Sequence, residues 1–220
     1  MDVITFKSQP KISPFAPEYE WRMFETFVTG VNFKELAQLI LTKEQEILTQ
    51  FPVPISAGLT GLGPNSLTSR FEYFNVLKWD HPEIIKLLDN IKKHHLTILE
   101  ITKTPRRKLW IQCWANVLRA PEKMNAHIHD TSSLSYLGGH VTVQCDQTYT
   151  VYVNPIEQLS MPQTYDSINQ VGKITFFQNN IPHFTTEHLG PNERISIAFD
   201  IILDEHPKSK NNLLLFDLDE

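Results

Sequence analysis

In the stretch NFKELAQLILTKEQEIL, residues 32–48, the apolar positions Phe33, Leu36, Ile40 and Ile47 recur at spacings of three, four and seven. Such spacing lines one face of an α-helix, and Asn32 is a fitting cap for its first turn. A second helix is predicted over 80–99, DHPEIIKLLDNIKKHHLTIL, opened by Asp80 with Pro82 in the first turn, where a missing N–H leaves no bond unmade. Between them, residues 52–66 are punctuated by Pro and Gly and read as a long loop. Residues 70–79 read as a short ordered piece of either type. The first thirty residues, rich in Pro, aromatics and acids, read as an extended segment laid over the surface rather than a regular element.

Beyond Pro105 the pattern changes to short β-prone runs at 108–119, 133–145, 148–154, 173–178 and 194–203, separated by segments carrying Gly, Pro, Asn and Asp. Helices first and closely spaced strands later predict an α+β or mainly-β body with helices on one side of a curved sheet. A chain of 220 residues suits one domain. Within it, residues 1–104 are expected to be helical and loop support, 105–205 the core, and 206–220 a tail.

Composition narrows the class. The chain is 41% hydrophobic and 20% charged, with thirteen phenylalanines, which describes a folded protein with an aromatic core. A formal charge of −5 gives no bulk attraction to nucleic acid, and the basic turn KTPRRK at 103–108 reads as solvated. Two cysteines, Cys113 and Cys145, sit in strand-like stretches and argue against a disulfide framework. No run is long and apolar enough for a membrane span, and the N-terminus lacks the order of a signal peptide. A soluble cytoplasmic protein is expected.

Chemistry concentrates in two places. In NAHIHDT, residues 125–131, His127 and His129 are two apart, so on an extended strand they share a face and can grip one ion, with Ile128 turned to the other layer. Asp130 points away from His129 unless the strand ends there. His183 follows the strand KITFFQ and its loop, where folding can return it to the pair. Three such side chains with open positions beside them suit a non-haem iron that also holds a co-substrate and oxygen. Nine histidines in the chain make chance pairs inevitable, and His94–His95 is expected to be one. Further weight comes from Arg194 and Ser196, which share a face of the last strand. A guanidinium fork with a hydroxyl two residues on makes a clamp for the remote carboxylate of a dicarboxylic acid.

The order NAHIHD, GKITFFQNNIPH and ERISIAFD, preceded by the strand WIQCWANVLR, resembles the iron(II)- and 2-oxoglutarate-dependent oxygenases, particularly a branch common among bacteriophages. The resemblance spans roughly Trp110 to Leu203. It implies a distorted double-stranded β-helix, or jelly roll, with supporting N-terminal helices. It also implies that His127 and His183 bind Fe(II), that Arg194 holds the tail of 2-oxoglutarate, and that Ser196 is its partner. The superfamily has an acidic residue two positions after the first histidine. His129 stands there in this chain, as a close histidine pair does in the phage-type branch, which leaves His129 or Asp130 as the middle ligand. Asn116 and Tyr136 are expected on strands lining the cavity, as co-substrate or substrate contacts, and His140 is expected to face the same interior.

The activity implied is hydroxylation of an unidentified substrate, a peptidyl proline or another protein side chain, with molecular oxygen as co-substrate and the loops at 59–66 and 156–169 as gates. Partners left open are a small-molecule or protein substrate, a second copy of the chain and a phage protein. Two other readings stand beside it: a catalytically silent jelly-roll module of a phage, for which the three histidines would not converge, and a cupin-like metalloenzyme without 2-oxoglutarate, for which Arg194 would turn away. The chain has no glycine-rich phosphate loop, no cysteine-based zinc pattern and no Ser-His-Asp signal.

Overall fold

Asn32 caps α1 (Phe33–Gln50) as predicted, its side-chain oxygen accepting the Glu35 N–H, and Leu36, Ala37, Ile40 and Ile47 form the buried stripe. α2 (Pro82–Thr102) carries Pro82 in its first turn, but His81 rather than Asp80 is the cap, Nδ1 accepting the Glu83 N–H at 3.2 Å. It stops at Lys103, which turns into the left-handed region at φ 54°. The computed structural model describes residues 1–7, 14–15, 18–53, 60–129, 132–156, 163–203 and 212–216.

Among the described residues ten strands follow one another: β1 (Asp2–Lys7), β2 (Glu20–Phe27), β3 (Leu109–Leu118), β4 (Ser135–Gln144), β5 (Tyr149–Val153), β6 (Thr164–Ile168), β7 (Lys173–Phe177), β8 (His183–Thr185), β9 (Arg194–Leu203) and β10 (Leu214–Phe216). Seven make a large sheet in the order β1-β2-β7-β4-β9-β3-β10, and three a small sheet in the order β6-β5-β8. Every pairing is antiparallel. The two sheets and their connections form the distorted double-stranded β-helix of a jelly roll, with the helices on one side.

Side-chain alternation divides the large sheet into two uses. Ile195, Ile197, Phe199 and Ile201 of β9, with Val141 and Val143 of β4, share one buried cluster with Leu36 and Ile40 of α1 and Leu87 and Ile91 of α2. The opposite face of β9 carries Arg194, Ser196, Ala198 and Asp200 along a cavity between the sheets. A second cluster of Phe6, Met23, Tyr152, Phe177 and Ile181 fills the space on the far side. Both faces of β9 are therefore covered, which explains its nearly continuous burial.

The first thirty residues, expected as an irregular surface segment, supply β1 and β2, and β2 joins the large sheet by pairing with β7. β6 lies inside the segment expected as a gating loop and pairs with β5. Buried Glu25 of β2 ties the sheets together, accepting hydrogen bonds from Ser167 Oγ (2.6 Å) and Tyr165 OH (2.9 Å) of β6 and pairing with Lys173 Nζ at 3.2 Å. No helix among the described residues is long and apolar enough to cross a membrane.

Candidate metal centre

The chain leading to the first two histidines runs antiparallel to the segment around β8. His127 and His183 exchange both backbone hydrogen bonds at 3.0 Å, and the His129 N–H donates to the Asn179 carbonyl at 2.9 Å. The shared face of His127 and His129 needs only extended chain, and the structure has an isolated bridge here. That geometry suffices to bring His127, His129 and His183 together, with one ligand atom from each lying within 4.8 Å of the others. Ile128, expected to face the other layer, borders the same cavity and is 48% exposed. Asp130 lies outside the described residues.

The three Nδ1 atoms are all engaged. That of His127 meets the Asn125 carbonyl at 2.8 Å, that of His183 the Ile181 carbonyl at 3.0 Å, and that of His129 the Asp200 carboxylate at 2.6 Å. Each oxygen is an acceptor, so each Nδ1 is the donor in its contact and Nε2 is the ring atom left to face a metal. Burial, reinforced by the neighbouring histidines, holds His183 well below the ordinary imidazole range, and burial likewise lowers His127. Both are neutral near pH 7, the form that ligates.

Arg194 lines the same cavity and is 2% exposed. Its Nη2 reaches Thr150 Oγ1 of β5 at 3.5 Å, whereas Nε and Nη1 are buried without a partner, and no carboxylate among the described residues pairs with it. Burial pulls its guanidinium down to about 10. A buried unpaired cation is costly, and a guanidinium with so few protein partners has donors left for a ligand carboxylate. Ser196 is two residues on along the same face, and its hydroxyl accepts from Asn116 Nδ2 at 3.4 Å. Asn116 is in turn held by the Thr68 hydroxyl at 2.8 Å.

Tyr136 lies elsewhere. Between Ser135 and Leu137 the β4 register shifts by one residue against β9, so Tyr136 turns to the helix side and packs edge-on against His95 of α2 at 5.6 Å. His140, beyond the bulge, does face the cavity. Its Nε2 meets the Tyr152 hydroxyl at 2.6 Å, and burial pushes its imidazole down to about 3. Thr150, Tyr152 and Asp200 carry no expectation from the sequence, although the alternation that selects Arg194 and Ser196 runs on through Ala198 to Asp200.

The cavity holds about 990 Å³ and is largely apolar, with Phe71, Trp114, Met124 and Ile128 on its walls and the histidines, Arg194, Ser196 and Asp200 among its polar groups. Thr60, from one segment expected to gate the site, also lines it; residues 157–162 of the other lie outside the described part.

No family model and no curated protein matches the sequence. Solved structures do match by fold. A prolyl-4-hydroxylase from Pseudomonas putida has a TM-score of 0.53 at 10% identity, covering 82% of this chain and 87% of its own. A prolyl hydroxylase from Trichoplax adhaerens, solved with a peptide of the hypoxia inducible factor oxygen degradation domain, has a TM-score of 0.57 at 10% identity, covering 82% and 83%. HygX from Streptomyces hygroscopicus, solved with nickel and 2-oxoglutarate, has a TM-score of 0.53 at 11% identity, covering 83% of both chains. At such identities these likenesses establish the shared fold.

Proposed function

We propose that the protein is an iron(II)- and 2-oxoglutarate-dependent oxygenase that hydroxylates its substrate. The observation that carries this reading is the buried Arg194 guanidinium, unpartnered on two nitrogens, in the same cavity as three convergent histidines. A silent module has no use for converging imidazoles, and a metalloenzyme without a carboxylate co-substrate has none for Arg194.

In this reading the Nε2 atoms of His127, His129 and His183 hold the iron, and Arg194 with Ser196 and Thr150 binds the far carboxylate of 2-oxoglutarate. When bound, iron and 2-oxoglutarate together activate oxygen for C–H hydroxylation, with succinate and carbon dioxide as by-products. The protein positions those groups and keeps water away from them. Arg194 would hold the co-substrate carboxylate through its guanidinium donors, Asn116 and Thr68 hold the Ser196 hydroxyl in place, and Phe71, Trp114 and Ile128 offer an apolar wall beside the metal position. That wall suits a peptidyl proline or another weakly polar protein side chain, the substrate class we assign by analogy with the prolyl hydroxylases of the same fold. The phage branch and a cytoplasmic setting remain part of the proposal on the strength of the HIH motif and the composition.

The test is an anaerobic Fe(II) titration with and without 2-oxoglutarate, following the visible metal-to-ligand charge-transfer band, on wild type and Arg194→Ala. The band is expected only when both components are present. Removing one partner of a buried charge pair costs about 2–5 kcal/mol, so the mutant should need at least ~30-fold more 2-oxoglutarate. A folded, metal-binding wild type without the band would overturn the proposal.

A further inference from the structure

We infer that Asp200 is a positioning residue of the metal centre, whose carboxylate orients His129 and supplies from behind it the negative charge that a ligand set of three histidines lacks. The inference rests on the metal site proposed above and goes beyond its ligands.

Three neutral imidazoles leave a bound divalent ion at its full charge. Asp200 Oδ1 lies 2.6 Å from His129 Nδ1, the ring atom remote from the metal position, and the side chain is only 16% exposed. No lysine or arginine among the described residues pairs with it, so its hydrogen-bonded charge partner is the imidazole. The His129 ring is wedged between Trp114, at 5.5 Å between centroids, and the edge of Phe177, at 5.2 Å. With the ring plane fixed and Nδ1–H bound to a carboxylate, Nε2 has one direction in which to point and becomes a stronger donor.

Space for the pair is provided across the sheet. Gly138 of β4 stands directly opposite Asp200 in the ladder. A methyl on Gly138 would collide with Asn179 Oδ1 and would lie 3.1 Å from His129 Nδ1 and 3.3 Å from Asp200 Oδ1. The side chain that β4 omits at this register position is thus replaced by the Asp200–His129 contact. β9 thereby presents the co-substrate clamp at one end of its inner face and the charge for the metal at the other, six residues apart.

The test uses the full chain with Fe(II) under anaerobic conditions and no 2-oxoglutarate, measuring affinity by chelator competition and the reduction potential of the bound iron. Asp200→Asn is expected to weaken Fe(II) binding by about 10–100-fold and to raise the potential, with an unchanged urea midpoint for the metal-free protein. The double variant Asp200→Asn with His129→Asp returns the carboxylate to the metal itself and should recover most of the lost affinity. Wild-type affinity and potential in Asp200→Asn would overturn the inference, as would a double variant no better than the single one. Because the readout omits 2-oxoglutarate, a centre that shows these effects yet never binds 2-oxoglutarate refutes the oxygenase reading alone. A wild type that forms the charge-transfer band while Asp200→Asn binds iron as well as wild type refutes this inference alone.

Discussion

Adjacent glycines in β4 separate site from scaffold. Gly138 faces the cavity, where added volume meets the Asn179 side chain and crowds His129 and Asp200; Gly139 faces the helices, where it meets the Phe199 ring and, at 2.6 Å, the Thr175 carbonyl. Asn179 is a side chain that can turn, whereas the Phe199 ring is locked in the core and the Thr175 carbonyl belongs to the neighbouring strand β7. Gly138→Ala is therefore expected to keep the fold and weaken Fe(II) binding several-fold or more, while Gly139→Ala should lower stability by about 1–3 kcal/mol or more through overpacking. Urea denaturation and metal titration of both variants check this, and equal effects of the two on metal affinity would count against the assignment of faces.

At the scale of elements, α2 carries a group that the histidine count marks as incidental but the packing does not. His95 is fully buried against Tyr136 and Phe216, both ring nitrogens lack partners, and burial alone pushes its imidazole down to about 4. Its folded value lies below the unfolded value of 6.5. Below pH 6.5 the unfolded chain therefore takes up a proton that the folded one refuses, and stability falls until about pH 4. At 1.36 kcal/mol per unit, the loss attributable to this side chain is on the order of 3 kcal/mol. His95→Leu is expected to match wild type or exceed it at pH 7 and to show a shallower decline between pH 6.5 and 4 in urea midpoints. An unaltered pH slope would show that His95 does not titrate with unfolding. The remaining slope belongs in part to His140, which burial depresses in the same sense.

For the molecule as a whole, the site joins parts that are far apart in sequence: Thr68 in the support region, Asn116 on β3, His127 and His129 on extended chain before β4, His183 at the start of β8, Thr150 on the small sheet and Arg194 on β9. A ligand that bridges them favours the folded state over the unfolded by mass action, about 2.7 kcal/mol at a hundred times its Kd. For a chain of this size that is a rise in Tm of roughly 5–10 °C. Anaerobic thermal unfolding should show one increment with Fe(II) and a second on adding 2-oxoglutarate, and Arg194→Ala should retain the first and lose the second. A second increment that persists in Arg194→Ala would place the co-substrate carboxylate elsewhere.

Local rules alone determine much of this protein. Period-3.6 spacing fixes both helices because an amphipathic stripe and a cap are properties of a few neighbouring residues. Period-2 spacing puts His127 with His129 and Arg194 with Ser196 because extended chain alternates whatever it pairs with. The tertiary structure decides what depends on a partner. β1 and β2 are strands because they pair with each other and β2 pairs with β7, and neither has a pattern strong enough to announce it. Tyr136 faces the helices because a bulge opposite β9 shifts the register, and a shift of one residue exchanges the two faces of a strand. Asp200 meets His129 because Gly138, across the ladder, leaves room for the contact. A vacancy opposite a residue is a relation between strands, and no single strand contains it.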